Sequence, residues 1–368
     1  TAFFLESTML GVWLFGWDRL SERAHCVTIW LVALASNLSA FWILVANSFM
    51  QHPVGYALRG GRAEMTDFFA LVTNPYVVGE YSHTFFSGVA TAGFVVLAVS
   101  AWKVLHDAAS RAAFRQSLMA GALFLLVGLL GAAGSGHLHT QYLAQANPMK
   151  LASMEALWET ADPAPFAIVA DIDEQAHENR AELEVPALFS FMLYNQPAGA
   201  VRGINDLQAT AEQQYGPGDY RPDVTGLFWS FRLMVGIGGA MIGLAFLTFL
   251  LAWKGDPLRF PWLLRLIPWL LPLVYIVNSC GWYVAEAGRQ PWIVVGLQKT
   301  AEAVSPNLSG AEVWLTLLGF TVTYLLLAGV AIAHRHRVRR CGLAVDGEAV
   351  GASSLVHARV PLADGLLG

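Results

Sequence analysis

Four ionisable side chains stand in or at the edge of long apolar stretches of this chain: Glu6, His83, Arg232 and Glu286. A charge in hydrocarbon costs at least about 2.5 to 3.5 kcal/mol, so such groups persist where they find partners or do chemistry. Met234 lies two residues beyond Arg232. Imidazole and thioether sulfur together are a common axial pair on low-spin haem iron, and His83 with Met234 could supply one. Taken singly, each residue also has a plainer use. His83 could hydrogen-bond a backbone carbonyl, Met234 could fill a core, and Glu286 could pair with Arg289 at an interface.

The elements that must position these groups are membrane spans. Only 13% of the 368 residues are charged and 55% are hydrophobic, whereas soluble domains carry about 25% charge. A span needs about 20 apolar residues as a helix. Seven stretches qualify or nearly do, at 1–17, 26–49, 82–105, 114–135, 226–253, 262–284 and 312–333. They are continuously apolar and too long for the alternating strands of a barrel, so the expected class is an all-α polytopic transmembrane bundle. Thr1 enters an apolar run with no start methionine or basic leader, so the natural chain is expected to begin earlier. Cys26, Cys280 and Cys341 are scattered without CxxC spacing and suggest neither a disulfide framework nor a zinc site. The arginines fall between apolar segments, not along one stripe, so nucleic acid is not an expected partner.

Short-loop cations set the orientation, because they stay in the cytoplasm. Arg19 and Arg23, then Lys103, Arg111 and Arg115, then Lys254, Arg259 and Arg265, then Arg335, Arg337, Arg339 and Arg340 alternate correctly with the spans. The expected organisation is four spans over 1–135, an extracytoplasmic segment at 136–225, three spans over 226–334 and a cytoplasmic tail at 335–368. The long segment is acidic and broken by Pro and Gly. Near its start Leu151, Met154 and Trp158 share a helical face, predicting a short helix on the membrane surface. In this topology His83, Met234 and Glu286 share one depth near the outer face.

Five strings, in order along nearly the whole chain, resemble subunit I of the cytochrome bd quinol oxidases. They are Phe3-Phe4-Leu5-Glu6-Ser7-Thr8 with Phe15-Gly16-Trp17-Asp18-Arg19-Leu20; Ser36 to Asn47; Lys150 to Thr160; Phe231-Arg232-Leu233-Met234-Val235; and Gly281 to Trp292. The resemblance implies that His83 and Met234 ligate a low-spin haem b, with Arg232 against its propionates. It implies that Glu286 ligates a high-spin haem b, with Arg289 as propionate partner and Trp282 between haem sites. Lys150 and Glu155 match the quinol-oxidising residues of the loop, where Lys can hold a quinol oxygen and Glu can accept its proton. Glu6, Ser39 and Asp18 resemble a cytoplasmic proton route to the oxygen site. Plainer alternatives are helix–helix hydrogen bonding for Ser39 and Asn47, and pairing with Arg19 for Asp18.

The family's pattern adds two helices at the N-terminus, with a haem-ligating histidine and a second buried glutamate, making nine spans where seven are visible here. The loop length places the chain in the short-loop branch. Haem d, a second large subunit, a small single-span subunit, O2 and membrane lipids follow from the resemblance alone. The implied activity is oxidation of a quinol, ubiquinol or menaquinol, at the outer face of a bacterial plasma membrane, with oxygen reduced to water by cytoplasmic protons. A non-catalytic di-haem anchor would share His83 and Met234 but gives no reason for the Glu286 string. A transporter would predict internal repeats, and none is visible.

Overall fold

Apolar length dictates most of the fold. The computed structural model describes residues 2–345. In chain order come α1 (Ala2–Phe15), α2 (Glu22–Gln51), a hairpin of β1 (Tyr56–Arg59) and β2 (Arg62–Met65), α3 (Phe68–Val72), α4 (Pro75–His106) and α5 (Arg111–Ala146). The segment between the two sets of long helices holds α6 (Pro148–Met154), a hairpin of β3 (Phe166–Asp173) and β4 (Glu178–Val185), α7 (Leu188–Tyr194) and α8 (Ile204–Tyr215). Then follow α9 (Val224–Lys254), α10 (Pro261–Ala287), the short pair β5 (Trp292–Val294) and β6 (Gln298–Lys299), and α11 (Gly310–Val345). Residues 2–303 form one compact unit, and α11 belongs to a second. Of the expected tail, 346–368 lie outside the described residues, as do the side chains of Arg335, Arg337, Arg339 and Arg340.

Six helices are long and apolar enough to cross a membrane among the described residues. The first expected span is the exception: α1 has 14 residues, about 21 Å of helix against a hydrocarbon core of about 30 Å. The bundle is mostly helical as expected, and the three two-stranded hairpins are additions to it. The first has a simple cause. Gly60 and Gly61 both have positive φ, the backbone a tight two-residue hairpin demands.

Small residues let α4 and α5 approach closely, as lipid-embedded helices require. A methyl added at Gly121 would stand 2.7 Å from the Leu97 backbone nitrogen, and Gly93 and Gly128 abut the opposite backbone in the same way. Around this contact Phe94, Leu97, Leu118, Leu125, Ala245 and Ile267 pack with no more than trace exposure. Arg115 ties the other pair of helices in, donating to the Ala252 and Gly255 carbonyls at the end of α9 (3.0 and 2.7 Å), which otherwise lack helical partners.

Two expectations about the long segment are corrected. Helix α5 runs unbroken through 136–146, so the segment that separates the two sets of long helices begins at Asn147. The predicted surface helix is a buried one: Lys150, Leu151, Ala152, Ser153 and Met154 are all inaccessible. Leu151 and Met154 do share a face, against Tyr76, Leu143, Leu227 and Phe231. The opposite face, carrying Ala152, is covered by Ile204, Val224 and Phe228. A seven-residue helix with an alanine and a serine on its far side has no polar face to offer water, so α8 and the β3–β4 hairpin close over it.

Candidate functional site

The ends of α2, α5 and α10 and the beginnings of α4 and α9 meet at one end of the bundle, with α6 wedged among them. Asn147 caps α6 by accepting from the Lys150 backbone N–H (3.2 Å). That helix delivers Lys150 and Glu155, which are 2% and 4% exposed.

Lys150 Nζ donates to Gln51 Oε1 (2.5 Å), to Tyr76 Oη (3.2 Å) and to the Ala285 carbonyl (3.0 Å). Its stem lies against Gly288, where an added methyl would fall 2.8 Å from Cγ. Burial lowers its pKa to about 7, against a smaller opposing pull from Glu80. Glu155 receives a two-pronged contact from Arg232, Nη2 to Oε2 at 2.6 Å and Nη1 to Oε1 at 3.3 Å. Burial raises the Glu155 pKa to about 7, with the guanidinium beside it pulling the other way.

Arg232 also donates to the Ala167 carbonyl (2.7 Å) and lies between the rings of Phe166 and Phe228, each 4.2 Å away. Most of its donors are therefore committed to the loop segment, which joins the residue matched to propionate binding with the one matched to quinol oxidation.

His83 Nδ1 is hydrogen-bonded to the Ala132 carbonyl (2.9 Å). The plainer use of this histidine is thus present and compatible with the other, because fixing Nδ1 leaves Nε2 as the free donor atom for a metal. Met234 packs at the edge of the Tyr76–Phe231 cluster. Glu286 Oε1 accepts from Asn47 Nδ2 (2.7 Å), and Oε2 pairs with Arg289. Trp282 is half exposed on α10. Glu6 and Ser39 are half-buried on α1 and α2 and Asp18 is exposed, with no hydrogen bond among the three.

The sequence-family model for cytochrome bd terminal oxidase subunit I matches residues 1–342. The chain belongs to that family. It is 42% identical over 335 residues to the cytochrome bd ubiquinol oxidase subunit 1 of Bacillus subtilis, covering 90% of this chain and 71% of that one. It is 31% identical over 395 residues to the cytochrome bd-II ubiquinol oxidase subunit 1 of Escherichia coli, covering 91% and 77%. The solved bd oxidase of Geobacillus thermodenitrificans superposes with a TM-score of 0.78 at 30% identity, over 92% of this chain and 76% of that one. The protein is thus a polytopic subunit of a respiratory terminal oxidase, a membrane enzyme of several subunits that works with haem.

The residues present fit haem. Arg289 is 6% exposed, yet its Nε and Nη1 have no partner, a costly state that an anionic propionate would relieve. Both proposed axial ligands face glycine. A methyl on Gly136 would stand 3.1 Å from the His83 ring, and one on Gly281 would stand 3.4 Å from Met234 Sδ.

Sequence reasoning missed Gln51, Tyr76, Glu80 and Gly288. Gln51 and Tyr76 are fully buried, and Ser48 Oγ donates to Glu80 Oε2 (3.0 Å). The available signal was a row of polar residues, Asn47, Ser48 and Gln51, at the end of an apolar helix.

Proposed function

We propose that this subunit oxidises a quinol, ubiquinol or menaquinol, at the bundle end that carries Lys150 and Glu155, within a complex that reduces oxygen to water. One observation carries the reading. Both buried loop residues bond directly to the helices bearing the matched haem ligands: Glu155 to Arg232 beside Met234, and Lys150 to the carbonyl preceding Glu286. A quinol held here loses two protons and two electrons as it becomes the quinone. Lys150 donates a hydrogen bond to the quinol oxygen and stabilises the negative charge that grows there as its proton leaves. Glu155 accepts that proton, its pKa of about 7 suiting the exchange at neutral pH, while the second proton leaves to the extracytoplasmic water and both electrons pass to the haem groups.

His83 and Met234 would hold the low-spin haem b and Glu286 the high-spin haem b. Arg232 would lie against the propionates of the low-spin haem and Arg289 would hold a propionate of the high-spin haem, with Trp282 between the haem sites. Bound haem, including haem d, supplies the one-electron steps and the oxygen chemistry. Glu6, Ser39 and Asp18 carry protons from the cytoplasm, with water between them. The cation-rich short loops support placing the 136–225 segment outside and the C-terminus inside a bacterial plasma membrane. A second large subunit without haem and a small single-span subunit complete the complex, bathed in lipid.

Reduced-minus-oxidised visible spectra of the purified complex, with haem extraction, test the reading. Two b haems and haem d are expected. His83→Ala and Met234→Ala should each remove the low-spin signal and quinol oxidation; retention of both would defeat the assignment.

A further inference from the structure

A row of buried polar side chains lies between the two assigned sites. Asn47 and Gln51 are four residues apart on α2 and therefore stack on one helix face. Gln51 is fully buried. Its carbonyl oxygen accepts from Lys150 Nζ at 2.5 Å and from Tyr76 Oη at 3.4 Å. Its amide donates to the Ala285 carbonyl at 2.8 Å and to Asn47 Oδ1 at 3.4 Å. Asn47 in turn donates to Glu286 Oε1 at 2.7 Å. An unbroken line of hydrogen bonds thus runs from the Lys150 ammonium to the Glu286 carboxylate. The Ala285 carbonyl, which receives both Lys150 and Gln51, braces it from the residue next to Glu286.

We propose that Gln51 is a positioning residue joining the two sites. It aims Lys150 at the quinol and, through Asn47, links the occupancy of the quinol site to the setting of the Glu286 carboxylate at its iron. The inference rests on the site assignment above. Its physical basis is that a primary amide accepts at one end and donates at the other. When a quinol oxygen draws Lys150 toward itself, the Gln51 carbonyl loses its strongest donor and the amide can turn. That turn changes the bond from Asn47 to Glu286. An apolar side chain at 51 would fill the same space and transmit nothing, while leaving Lys150 buried with one partner fewer.

The test uses the whole membrane complex and a short-tailed ubiquinone as probe. Titrated into the oxidised wild type, the quinone should perturb the high-spin haem absorption. In Gln51→Leu the perturbation should vanish and KM for the quinol should rise roughly tenfold, the loss of one charge-assisted hydrogen bond. In Gln51→Glu, which keeps an acceptor for Lys150, KM should recover. In Asn47→Leu the perturbation should vanish while KM stays near wild type, because Gln51 keeps Lys150 and Ala285. A wild type with no perturbation, or one that persists in either leucine variant, overturns the link. If Gln51→Leu fails to assemble, the wild-type titration and Asn47→Leu still decide. Lys150→Ala separates the two levels. Unchanged KM there would remove the quinol-site reading and the link with it; raised KM alongside a perturbation that survives Asn47→Leu would remove the link alone.

Discussion

Arg232 and Glu155 form a two-pronged ion pair, 2.6 Å at its closer contact, with both side chains more than nine-tenths inaccessible. The pair fastens α9, two residues before Met234, to the loop segment that follows α6. Removing one member leaves the other as an uncompensated buried charge, a loss of about 3 to 5 kcal/mol. Arg232→Leu should therefore destabilise the complex by that order in thermal unfolding. Arg232→Leu with Glu155→Leu should recover much of it, because the double change leaves no charge behind. A double variant as unstable as the single one would count against the pair as the cause.

The pH profile of quinol oxidation follows from the same two loop residues. Glu155 accepts a proton only when ionised, and its pKa is raised to about 7, so its contribution grows as pH rises through 7. Lys150 offers a positive charge to the quinol oxygen only when protonated, and its pKa is lowered to about 7, so its contribution falls over the same range. Activity at low quinol should be a bell centred near neutral pH. Steady-state oxygen consumption in Glu155→Gln should lose the acid limb along with most of kcat. Lys150→Met should lose the alkaline limb and raise KM. A profile that keeps both limbs in both variants would assign the ionisations elsewhere.

Long apolar runs are legible because lipid leaves helices few alternatives, and apolar residues dominate each run. Glu286, Arg289 and Asn47 could be singled out from their strings, since polar groups in hydrocarbon announce themselves. The burial of α6 could not be. Leu151 and Met154 gave a helical face, but what takes Lys150 inside is Gln51, Tyr76 and Ala285, at separations of 99, 74 and 135 residues. Gln51 itself reads locally as the polar end of a span. Gly60-Gly61 was a visible hairpin signal overshadowed by its neighbours' apolar runs. The Arg232–Glu155 pair is hidden because its members stand 77 residues apart, on a span and in the loop segment.

Gly288 supplies a sharper probe of Lys150 than any change to the lysine. A β-carbon there would meet the Lys150 stem at 2.8 and 2.9 Å and also press on the Val284 carbonyl. Crowding of this kind costs about 1 to 3 kcal/mol and moves the more flexible partner. Gly288→Ala should displace the ammonium from Gln51 and the Ala285 carbonyl, raising KM for quinol about tenfold with the haem spectrum retained. Gly288→Ala kinetics identical to wild type would mean that Lys150 is not held in its working position by this contact.

Arg289 separates what haem needs from what the polypeptide needs. In the bare chain its Nε and Nη1 are buried without partners, while Nη2 alone pairs with Glu286. Replacing it by leucine removes a poorly satisfied charge, and Glu286 keeps Asn47 and remains 40% exposed at its side chain, so little is lost from the fold without haem. With haem bound, the same change strips a propionate of its cation. Arg289→Leu should therefore assemble into the membrane at normal levels but yield less total haem b on extraction, with the low-spin haem b absorption of the intact complex unchanged. Equal loss of both haems would point to a general folding defect. Full retention of both would mean that the unpaired guanidinium atoms serve another anion.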